Sequence, residues 1–63
     1  MRAYRILAKN LKTRQRIERN VLGGAPITDE DEAWRLASAM AEQQQRTTGE
    51  QWSAEVEVYE IRN

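Results

Sequence analysis

The chain contains no cysteine and no histidine. Disulfide staples, thiolate nucleophiles, imidazole bases, the Ser-His-Asp triad and the common zinc ligand sets are thereby excluded. Glycine and proline are scarce as well, and three of these four residues sit together in Gly23-Gly24-Ala25-Pro26, the clearest loop signal in the sequence. No apolar run is long enough to span a bilayer. After the charged start Met1-Arg2-Ala3-Tyr4-Arg5 there is no apolar stretch of signal-peptide length. The expected compartment is the cytoplasm, with no membrane partner, no metal and no cofactor.

Size narrows the reading further. Residues 1–63 are expected to form a single domain, near the length at which one core only just offsets conformational entropy. Apolar residues make up 40% and charged residues 32% of the chain, so the core is expected to be thin. A pocket would have to be built from about one layer of side chains, and no enzyme is expected.

What the chain does have is charge, unevenly placed. Residues 1–20 carry seven basic side chains against Glu18 alone, whereas residues 21–63 carry three basic against nine acidic ones. Lys9, Lys12, Arg14, Arg16 and Arg19 are the core of the basic part.

The best-signalled element is a helix from Thr28 to Gly49. Thr28 is the expected N-cap, Asp29 to Glu32 complement the dipole, and Ala33, Leu36, Ala37, Met40 and Ala41 recur on one face. Gly49 suits the left-handed residue that closes a helix. Four consecutive helical carboxylates point around the axis, so Asp29 to Glu32 are read as dipole partners and not as a metal site.

Three strands are expected around that helix. In the first, Tyr4, Ile6 and Ala8 alternate with Arg5, Leu7 and Lys9. Asn10-Leu11-Lys12-Thr13 reads as a turn into a second strand over Thr13 to Leu22, with Ile17 and Val21 on one face and Arg19 between them, a pattern suited to a sheet edge. In the third, over Gln51 to Arg62, Trp52, Ala54, Val56 and Val58 alternate with Ser53, Glu55, Glu57, Tyr59 and Ile61. The expected fold is α+β: two layers, one helix on a three-stranded antiparallel sheet, ββαβ with strand order 2-1-3 and one right-handed crossover. The expected core is Tyr4, Ile6, Ala8, Ile17, Val21, Ala33, Leu36, Ala37, Met40, Trp52, Val56 and Val58. Trp34 falls at the margin of the helix stripe, as a rim residue or part of an interface, and not a ligand site.

Two surfaces compete for function. One helix cannot cover both sheet faces, so Arg5, Leu7, Tyr59 and Ile61 on the far face form a candidate interface, for a homodimer or a protein partner. The alternative is a nucleic-acid contact through Lys12, Arg14, Arg16 and Arg19 on the basic hairpin. Against it stands a plainer role for that hairpin, balancing the acidic part of the chain. The run Thr-Asp-Glu-Asp-Glu-Ala-Trp-Arg-Leu-Ala at 28–37, followed by Thr48-Gly49-Glu50 and a strand ending Val56-Glu57-Val58-Tyr59, resembles short uncharacterised bacterial and phage-borne proteins with a helix on a small antiparallel sheet. The resemblance implies that fold and a bacterial origin, and it carries over no catalytic or binding residue.

Overall fold

Alternation of apolar and charged residues makes the N-terminal segment a strand with two different faces, and both of its edges find partners. The computed structural model describes residues 1–62, and of residues 21 and 22 the backbone only. Strand β1 is Arg2–Asn10, β2 is Arg16–Arg19, and two short strands, β3 at Val21–Leu22 and β4 at Ala25–Pro26, precede helix α1 at Glu30–Thr48 and strand β5 at Trp52–Glu60. The main sheet has the order β2-β1-β5, antiparallel throughout, with α1 packed on one face. This is the expected α+β fold with the expected central strand.

The helix begins one residue later than the sequence suggests. Asp29, not Thr28, is the N-cap: its backbone is extended and its carboxylate accepts the Asp31 N–H at 3.1 Å. The reason lies upstream, where the Tyr4 N–H donates to the Ile27 carbonyl at 2.8 Å and holds Ile27 in the sheet, leaving Asp29 to turn the chain. Gly49 closes the helix at φ 73°, donating its N–H to the Gln45 carbonyl. Ala33, Ala37 and Ala41 are the buried helix residues, so the helix sits close on the sheet.

The core forms two adjoining clusters. Ile6, Ile27, Ala33 and Ala37 pack with Tyr4, Leu36, Met40, Ala54 and Val56, while Ala8, Ala41 and Trp52 pack with Ile17 and Met40. The Trp52 indole N–H is satisfied by the Thr48 hydroxyl at 2.9 Å. Two expectations fail here. Val58 lies at the open end of β5 and is 59% exposed, and Ile27, which the sequence reading assigned to no element, is buried. Val21, also expected in the core, lies outside the residues whose side chains are described.

The second strand is shorter than expected because its continuation is taken over. The place on β1 beside Tyr4 is occupied by Ile27, so the chain leaves the sheet at Asn20. Residues 21–26 then form their own hairpin, Val21 opposite Pro26 and Leu22 opposite Ala25. Gly23 and Gly24 are its two turn residues, at φ 60° and 87°, and a two-residue turn with both φ positive is the geometry that matches the twist of flanking strands. The Gly-Gly-Ala-Pro segment is therefore a hairpin and not an open loop.

At the other end of the sheet Asn10 ties three segments together. Its Oδ1 accepts the N–H groups of Lys12 and Thr13 at 2.8 and 3.0 Å, and its Nδ2 donates to Glu50 at 3.0 Å. It is 1% exposed, the buried polar residue of the fold.

Candidate interaction surface

The sheet face away from the helix is built from alternate residues of three strands: Arg16 and Glu18 of β2, Ala3, Arg5, Leu7 and Lys9 of β1, and Ser53, Glu55, Glu57 and Tyr59 of β5. Leu7 lies at its centre, between Glu18 and Glu55, and is only 1% exposed. Its cover comes from charged side chains. Arg16 is paired with Lys9 and Glu57 with Arg5, so the ion pair from Arg16 to Glu57, at 3.9 Å, runs diagonally across the central strand over the Leu7 position. Long basic stems shield apolar surface in this way while keeping their charge in water.

A second bridge crosses the same face. The Tyr59 hydroxyl donates to the Asn20 carbonyl at 3.1 Å, reaching from one edge of the sheet to the other. Ala3, opposite Tyr59, is fully buried and is small enough to let the ring cross. The Arg5 guanidinium stands 5.4 Å from the Tyr59 ring centroid and 3.9 Å from Glu57.

Of the four expected interface residues, then, Leu7 is buried in the free protein, beneath the Arg16–Glu57 pair. Arg5 and Tyr59 are half-buried and engaged with each other. Ile61 follows β5, half-buried, with its N–H on the Met1 carbonyl at 2.8 Å. The structure brings Arg5, Leu7 and Tyr59 together, but as a closed face.

The four basic residues expected to meet nucleic acid are not gathered on one surface. Arg16 lies on the closed face with Glu57 and Glu18. Lys12 is 3.9 Å from Glu50. Arg14 sits in the turn at φ 65°, with its N–H on the Asn10 carbonyl. Arg19 is on the opposite face, in a groove of about 340 Å³ with Ile17, Leu36 and Met40. Further pairs join Arg2 to Glu60 and Arg5 to Glu57, so the basic first strands are set against the acidic last one. Each such exposed pair contributes only tenths of a kcal/mol.

The large exposed apolar side chains of the sheet-and-helix body lie elsewhere. Trp34 is 44% and Val58 59% exposed, and both line a groove of about 220 Å³ with Arg2, Tyr4, Glu30 and Val56. Trp34 reaches this flank because it lies about 100° around the helix from Ala33. Beside the groove runs the free edge of β5. All nine β5 residues pair in unbroken register with β1 on one side, Arg2 with Glu60 through Asn10 with Trp52, and the other side has no partner strand among the described residues. Exposed regular edges are usually blunted by charged side chains, proline, bulges or brevity; β5 is nine residues long with no proline, and its guard is the negative charge of Glu55, Glu57 and Glu60. The opposite edge, β2, is four residues long and ends where the chain turns out at Asn20.

The sequence places Trp34 at the core rim or in an interface but does not single out the β5 edge beside it. The signals were the position of Trp34 outside the alanine stripe and a final strand with no basic residue. Compared with known proteins, the chain matches no family model, no curated protein and no solved structure. Its chemistry must be argued from its own geometry. Among the described residues, no group of three or more carboxylates is placed to hold a metal ion, and no helix is long and apolar enough to cross a membrane.

Proposed function

We propose that this protein is a small non-enzymatic interaction module that docks onto a protein partner along the β5 flank of the molecule. One observation carries the reading: a long, regular, unpaired strand edge lies beside a groove in which Trp34 and Val58 are exposed. Exposed tryptophan is costly to leave in water and is enriched at the energetic centres of protein interfaces. The far sheet face, with Leu7 covered, supports this role less well than the flank does. The basic hairpin offers less to nucleic acid than its composition suggests, since Lys12 and Arg16 already lie against carboxylates.

The test is site-specific photo-crosslinking in cells. A photoreactive residue is placed at position 34 and, separately, at position 13 in the basic turn. Discrete protein adducts at 34 and none at 13 are expected. Adducts at 13 alone, or crosslinks there to nucleic acid, would overturn the reading in favour of the hairpin.

A further inference from the structure

We infer that the partner enters as an extended segment that adds a fourth strand to the free edge of β5, with apolar residues alternating with lysine or arginine. The inference deepens the proposed function and rests on it. Three features of the flank set the chemistry. The unpaired N–H and C=O groups of β5 offer a template for an extended chain, which binds through its own backbone. On the helix side of the sheet, every second residue of an added strand would meet the groove of Trp34, Val56 and Val58, and so would be apolar. On the other side the alternate residues would stand beside Glu55 and Glu57, where cross-strand pairing favours positive charge.

Charge also decides against pairing β5 with the β5 edge of a second copy. Strand β5 carries Glu55, Glu57 and Glu60 and no basic residue, so pairing it with itself along this edge sets Glu55 and Glu57 of both copies on one face, four glutamates together. Like charges set opposite each other across strands are destabilising. The β2 edge of another copy carries Arg16 and Arg19 beside Glu18, and what counts against it is length, since it offers only four residues to the nine of β5. Glu55 has no ion-pair partner among the described residues, so its carboxylate is available to an incoming cation.

The experiment uses a capped nine-residue peptide alternating Val and Lys, and its counterpart alternating Val and Glu, each titrated into the whole protein and followed by amide NMR and amide hydrogen exchange. The basic peptide is expected to shift the Trp34 indole signal, to slow exchange at alternate β5 amides, and to bind at least roughly tenfold more tightly than the acidic one. Glu55→Lys should narrow or reverse that preference, and Trp34→Ala should weaken the binding of the basic peptide. A perturbed Trp34 with no protection along β5 would overturn strand addition while leaving an interaction flank in place. Equal binding of the two peptides, or none by either, would overturn the basic class of partner. A solution mass that rises with concentration, with β5 amides protected in the protein alone, would assign the edge to a second copy.

Discussion

The far face of the sheet and the β5 flank both carry apolar side chains that the helix does not cover, yet Leu7 is buried and Trp34 is not. The difference is in the neighbours. Leu7 sits on the central strand, where Arg16 and Glu57 reach in from the two edges and meet above it. Trp34 and Val58 sit at the margin, beside an edge that no strand of the described residues occupies. In a three-stranded sheet, long charged residues on the edges can cover one face without a second layer, but among the described residues nothing covers the edge itself.

That comparison can be broken at four places. The largest effect is expected from Leu7→Ala, which removes a fully buried side chain and should cost about 2–4 kcal/mol in denaturant unfolding. A cost near that of a surface substitution would show that the face is open. Asn10→Ala should follow, at about 2 kcal/mol, because the Lys12 and Thr13 N–H groups lose their acceptor and Glu50 its donor. Arg16→Ala should cost about 1 kcal/mol by uncovering Leu7, whereas Arg16→Met, which keeps the stem, should cost little. If the two substitutions behaved alike, the charge and not the cover would be what matters. The smallest effect is expected from Trp34→Ala, below about 1 kcal/mol in the free protein, since the side chain keeps 44% of its surface exposed. A melting temperature lowered by more than about 1 kcal/mol accounts for would place Trp34 in the core.

Much of the architecture was legible from short-range pattern. Alternation along residues 4–9 and 52–58 and the spacing of Ala33, Ala37 and Ala41 reflect periods that the backbone enforces, and Gly49 reflects a φ that other residues resist. The strand order followed from the short turn after Asn10 and the handedness of the crossover. What was not legible depended on competition between distant segments. Nothing local to Ile17-Glu18-Arg19-Asn20 says that Ile27 will take the place beside Tyr4 and end the strand. Asn10 looked like an ordinary turn residue, because its contact with Glu50 spans forty positions.

The candidate surface was the harder part. Arg5, Leu7 and Tyr59 do share a face, as the alternation of their strands required. Whether that face is open depends on where the ends of Arg16 and Tyr59 come to rest, which alternation does not encode. The stripe margin puts Trp34 at the core rim or in an interface without choosing between them, and its exposure goes with three buried alanines on the contact stripe. Small residues on the contact stripe bring the helix down, and a large residue beside the stripe is left standing at its flank.

The central claim, one face sealed and one flank open, is tested most directly by hydroxyl-radical footprinting of the free protein. The account predicts that Trp34 is oxidised several-fold faster than Trp52, which is 6% exposed, and that Leu7 is spared. Equal rates at the two tryptophans, or ready oxidation of Leu7, would contradict it.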